Sequence, residues 1–192
     1  MFVRIFALLV LSTGLVGCTG TQITVKPAPE AVSLSNIKKY ENVGLNQSST
    51  GVANYAPAGN MTDGMVSTMK STGFAKNVLY PVRPDDKTDI TLDTEFTVRN
   101  DTHSGSAFVK SFFTGFTLFL LEPVMWYDFD YILEGKAIVT KNGQRMGEAS
   151  ARTDATISAK WLSLGQVQSL ESEALSKAKK SLYEQLIRDI KY

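Results

Sequence analysis

Thr88-Asp89-Ile90-Thr91-Leu92-Asp93-Thr94-Glu95-Phe96-Thr97-Val98-Arg99 alternates between apolar and polar residues. Side chains along an extended chain point to opposite sides at successive positions. Ile90, Leu92, Thr94, Phe96 and Val98 therefore share one face, and Thr91, Asp93, Glu95, Thr97 and Arg99 share the other. The stretch reads as a half-buried strand whose polar face meets water.

Downstream, Phe129, Tyr131, Leu133, Ala137 and Val139 repeat the pattern and predict a second long strand. Asn142-Gly143 follows; both residues tolerate the positive φ of a type I′ turn, so the chain should reverse there. The returning strand is expected from about Arg145 to Lys160. Ala151, Thr153, Ala155, Ile157 and Ala159 lie on its inner face, and their small size implies that something packs closely over them. A helix closes the chain: Leu170, Ala174, Ala178, Leu182, Leu186 and Ile190 recur every fourth residue, flanked by Leu175 and Ile187. Ser169 is its expected cap, with Glu171 and Glu173 suiting its start and Arg188 and Lys191 its end.

Upstream, Asn77 to Val82 reads as a strand stopped by Pro81 and Pro84, with Asp85-Asp86-Lys87 as a turn. Met61, Met65 and Met69 predict a second helix, capped by Asn60 or Thr62 and ended by Gly73. Gly64 within it costs roughly 1 kcal/mol relative to alanine, so packing must hold that helix. Val43 and Leu45 mark a first core strand within Glu41 to Gln47. Residues 19–35, rich in Thr, Ser, Pro and Ala, read as an extended tether; Ile23 and Val25 could pair at a sheet edge before Pro27 ends the run. Together these elements predict one α+β domain, residues 36–192, with a mostly antiparallel sheet and two helices packed on one face. The element order over about residues 40–192 is similar to the amino-terminal domain of the Tol translocation protein and to the core of the curli secretion lipoprotein.

The amino terminus carries its own signal. Arg4 precedes the apolar run Ile5 to Leu11, which is too short to span a bilayer, and then comes Leu15-Val16-Gly17-Cys18. This resembles the lipobox of bacterial lipoproteins. The resemblance implies a signal peptide over residues 1–17 and a mature chain beginning at Cys18, the lipidation site. There the thiol receives a diacylglycerol and the amine a further acyl chain (palmitate). Two or more chains anchor firmly, because each buried methylene contributes about 0.8 kcal/mol. By the enterobacterial sorting rule, Thr19 implies the outer membrane, facing the periplasm. Cys18 is the only cysteine of the 192 residues, so no disulfide can form within the chain. Lys and Arg number 20 against 19 Asp and Glu, and Arg4 leaves with the signal. A neutral, exported chain gives no electrostatic reason to expect nucleic acid as a partner.

Catalytic chemistry finds few candidates. A hydrolytic triad needs a base, and the single histidine, His103, sits in a Thr-His-Ser-Gly turn without a nucleophile elbow. One histidine and a lipidated cysteine do not supply a usual zinc ligand set. The Met61, Met65, Met69 stripe admits a thioether site for Cu(I) or simple core filling, and core filling is the commoner use. Asp128 and Asp130 share a strand face and could bind a cation or be solvated. Asp85, Asp86 and Asp89 read as a turn, and Ser104-Gly105-Ser106 lacks the spacing of a phosphate loop. The expectation is a protein that is not an enzyme and carries no cofactor or metal.

Ala107 to Tyr127 stands apart. Phe112, Phe113, Phe116, Leu118, Phe119, Leu120, Trp126 and Tyr127 form the candidate interaction surface, with Phe108 and Leu121 beside them. Its uninterrupted apolar part, Ser111 to Leu121, is shorter than the ~20 residues of a spanning helix. Gly115-Phe116-Thr117-Leu118, Glu122-Pro123 and Tyr127-Asp128-Phe129-Asp130-Tyr131 resemble a segment of proteobacterial envelope lipoproteins, although Glu122 replaces the apolar residue common there. Three readings stay open: a core element on the small face of the hairpin, a surface for an envelope protein or a second copy, and a segment in the membrane interface. The expected function is an accessory or binding module for an envelope assembly or transport complex. The alternatives are a membrane-surface structural role and a carrier of a small ligand or metal.

Overall fold

The computed structural model describes residues 20–29, 34, 37–46, 50–53, 61–101 and 126–190. In chain order these form β1 (Thr21–Lys26), β2 (Tyr40–Asn46), β3 (Thr50–Ala53), α1 (Met61–Ser71), β4 (Ala75–Leu79), β5 (Ile90–Asp101), β6 (Trp126–Lys141) and β7 (Gln144–Lys160). A 3-10 turn, Trp161–Gln166, then leads into α2 (Val167–Asp189).

The strands make one open sheet in the order β1-β7-β6-β5-β2-β4, with β3 also paired to β5. β5, β6, β7 and β1 are antiparallel neighbours. β2 runs parallel to both β4 and the first part of β5, and β3 runs parallel to the later part of β5. The α+β architecture is as the sequence implies, with both helices on one face: α2 packs on β7, β6 and β1, and α1 on α2 and β4. The sheet itself is mixed. Its parallel part follows from α1, whose crossover returns the chain alongside β2 in the same direction.

Alternation drives the packing. Ile90, Leu92, Phe96 and Val98 of β5 are buried, as are Tyr131, Leu133, Ala137 and Val139 of β6 and Ala149, Ala155, Ile157 and Ala159 of β7. What packs on the small residues of β7 is α2, whose Ala174, Ala178, Leu182 and Leu186 are fully buried. Fully burying each large aliphatic side chain contributes about 1.5–3 kcal/mol. Gly135 sits at the close approach: a Cβ there would lie 2.9 Å from Leu186 Cδ1 and 3.2 Å from Phe96 Cδ1. Asn142 and Gly143 have φ of 51° and 77°, as the turn requires.

In α1, Met61, Met65 and Met69 are buried, and Gly73 has φ of 71° just beyond its end. Tyr183 of α2 explains why Gly64 is tolerated. Its ring lies over the glycine, its hydroxyl donates to the Met61 carbonyl at 2.8 Å, and its ring meets Phe96 edge-on at 5.7 Å.

Three expectations need correction. The segment read as a tether contributes β1, since Ile23 and Val25 pack against the core and every residue from Thr21 to Lys26 pairs with β7. The strand expected at Asn77–Val82 lies at Ala75–Leu79, because Tyr40 N–H donates to the Phe74 carbonyl and fixes the pairing with β2 earlier. Ser169 does not cap α2: the 3-10 turn moves the start to Val167, and the Ser169 hydroxyl donates to the Gln166 carbonyl at 2.7 Å.

Candidate interaction surface

The helices leave the other face of the sheet to water. Each strand whose inner residues are buried presents the intervening ones there, so β5 offers Asp93, Glu95, Thr97 and Arg99, β6 offers Glu134 and Lys136, and β7 offers Ser150, Arg152 and Asp154. Register brings these charges together. Glu134 Oε1 lies 2.7 Å from Arg99 Nη2 and 3.5 Å from Arg152 Nη1, and Arg152 Nε donates to Asp154 Oδ1 at 3.0 Å. Higher on the sheet, Glu148 pairs with Lys136 at 2.9 Å and with Arg145. The hydrogen bond from Lys136, with the charges of Lys136 and Arg145, holds the Glu148 carboxyl below its usual range.

Between these two ionic clusters lies a shallow depression of about 470 Å³, lined by Glu95, Thr97, Glu134, Lys136, Ser150 and Arg152. Exposed ion pairs contribute about 0–1 kcal/mol each, so a partner can exchange them for contacts of its own at little cost. Charges of both signs in fixed register suit recognition by complementarity more than by apolar burial.

At the end of the sheet nearest Gly20, Asp128 and Asp130 project on the same open face. Ser158 Oγ donates to Asp128 at 2.7 Å and Thr156 Oγ1 to Asp130 at 2.6 Å, so each carboxylate already has a hydroxyl partner. Among the described residues, no group of three or more His, Cys, Asp or Glu side chains could hold a metal ion. The methionine stripe lies in the core, where Met61 Sδ contacts the Tyr183 hydroxyl at 3.4 Å.

Of the expected interaction surface, two residues fall within the described chain, and alternation separates them. Trp126 faces outward, 37% exposed, with Lys160 Nζ 5.4 Å from its ring centroid. Tyr127 is buried on the helix-covered face, where a partner cannot reach its ring. Cys18, Phe112, Phe113, Phe116, Leu118, Phe119 and Leu120, together with His103, lie outside the described residues. The ionic clusters were not singled out from the sequence. Their signal was the charged residues at alternate positions of β6 and β7, which becomes a surface only once the register is known. No helix among the described residues is long and apolar enough to cross a membrane.

No protein family model and no curated protein matches the chain. Among solved structures it is similar to a minor lipoprotein from Acinetobacter baumannii, with 13% identity and a TM-score of 0.48 over 79% of this chain and 90% of that one. It is also similar to the PelC dodecamer from Paraburkholderia phytofirmans, with 11% identity and a TM-score of 0.34 over 85% of this chain and 97% of that one.

Proposed function

We propose that the chain is an outer-membrane-anchored lipoprotein facing the periplasm, whose domain serves as a non-catalytic binding or accessory module of an envelope assembly or transport complex. The observation that carries the anchor is Leu15-Val16-Gly17-Cys18 placed directly after a short apolar run led by Arg4. The open sheet face supports the binding role: it holds two ionic clusters around a shallow depression. The partner is an envelope protein or a second copy of this chain.

The test is site-specific photocrosslinking in living cells from Ser150, at the depression, and from Phe116, in the apolar stretch. A discrete protein adduct from either site supports the binding role and identifies the partner. Absence of any protein adduct from both sites overturns it. The anchor is tested separately by Cys18→Ser, which should move the protein out of the membrane fraction.

A further inference from the structure

The distance between the proposed anchor and the folded domain is fixed at its far end. Gly20 is buried, and its carbonyl accepts the Lys160 N–H at 2.8 Å. A Cβ at Gly20 would collide with Ser163 Oγ, so the backbone is held close against the turn that follows β7. From Thr21 onward the chain is paired: Thr21 stands opposite Ala159, and Ala159 opposite Tyr127. Cys18 precedes Gly20 by only two residues. Two extended residues reach at most ~7 Å. A headgroup layer is about 5–8 Å thick, so this lead holds the near end of the domain within the layer or no more than ~2 Å beyond it.

The residues at that end suit such a place. Trp126 opens β6 opposite Lys160, which closes β7, and the two form a cation–π pair beside Gly20. An exposed indole and a lysine amine match the headgroup level, where tryptophan concentrates and basic side chains meet lipid phosphates. The opposite end of the β6–β7 ribbon, at Asn142-Gly143, lies about 50 Å away by the rise of a sixteen-residue strand.

We infer that the end of the sheet formed by Gly20, Thr21, Trp126 and Lys160 rests directly on the headgroup layer, so that the domain is seated on the membrane and the Asn142-Gly143 turn points away from it. This rests on acylation of Cys18, and the seating can fail while the anchor stands.

The acylated mature protein, beginning at Cys18, is reconstituted into vesicles of phosphatidylethanolamine and phosphatidylglycerol containing a headgroup-nitroxide lipid. A thiol-reactive fluorophore is placed by Gln22→Cys near the anchor or by Gln144→Cys at the far turn, both exposed positions. The expected result is loss of most emission at position 22 and none at position 144. A flexible insertion of about ten residues between Thr19 and Gly20 should erase that contrast while leaving acylation intact. Should Gln22→Cys fail to fold, Asp128→Cys reports the same end. Equal quenching at both ends, quenching at the far turn alone, or no quenching at all overturns the seating. Intact mass is read first: a chain without acyl groups overturns the anchor itself, separately from the orientation.

Discussion

On the covered face of the sheet Leu92, Phe96, Leu133 and Ile157 have no contact with water, whereas on the opposite face Arg99, Glu134, Lys136 and Arg152 keep 36–54% of their side-chain surface exposed. The same strands build both. One face is held by area removed from water and by close fit, and the other by ion pairs that water and salt weaken. The difference separates what holds the fold from what is free to meet a partner. Substitution on the two faces should therefore give effects of different size and different sensitivity to solution conditions.

The largest expected effect comes from Leu186→Ala, which empties a fully buried site between Phe96 and Gly135. It should cost about 2–5 kcal/mol in urea unfolding followed by circular dichroism. A loss below 1 kcal/mol would mean that α2 is not the main support of the covered face.

Gly64→Ala sharpens the point, because helix propensity and packing predict opposite signs. Propensity alone favours alanine by roughly 1 kcal/mol. The new Cβ, however, would lie 2.7 Å from Tyr183 Cε2 and 2.8 Å from its Oη. Overpacking of about 1–3 kcal/mol should win, so the variant should be destabilised. A more stable variant would show that α1 can shift away from α2 without penalty.

On the open face, Glu134→Ala removes the acceptor shared by Arg99 and Arg152. The expected loss is below about 1 kcal/mol and should fade as salt rises. If the loss matched that of Leu186→Ala, the contrast between the faces would collapse.

The smallest effect is read against pH. Lys136 and Arg145 lower the Glu148 carboxyl in the folded state, so at pH values beneath its ordinary 4.5 the unfolded chain takes up that proton first. The contribution of Glu148 is thus fully present above that value and is lost as pH falls through the lowered folded value. Glu148→Gln should flatten this part of the acid limb of the stability curve. An unchanged limb would leave the Lys136–Glu148–Arg145 cluster without energetic weight.

The covered face was largely legible in the sequence, because burial imposes a period: two in β5, β6 and β7, and near four in α1 and α2. Asn142-Gly143 even located the reversal. The open face was not, and one residue shows why. Thr140 pairs with Arg145 but Val139 pairs with Gly147, so Met146 is an extra residue on β7. Counting back from the turn without that bulge would set Glu134 against Ala151 instead of Arg152, and the Glu134–Arg152 pair would be missed. The parallel pairing of β2 with β5 was equally hidden, since a seven-residue strand states its own alternation but not its neighbour. Of the aromatic stretch, the structure speaks only for Trp126 and Tyr127, which alternation sends to opposite sides.

The pairing of β1 with β7 also sets a timetable. Thr21 to Lys26, near the start of the chain, find their partners at Ala159 to Asp154, near its end. A chain delivered amino terminus first exposes β1 long before β7 exists, and closing so long a loop is the slow kind of contact to make. The hairpin of β6 and β7 with α2 behind it is contiguous, so its contacts close much shorter loops. The first strand to emerge is thus the last to dock, and until β7 is made its backbone edge waits without the partner that the finished sheet gives it.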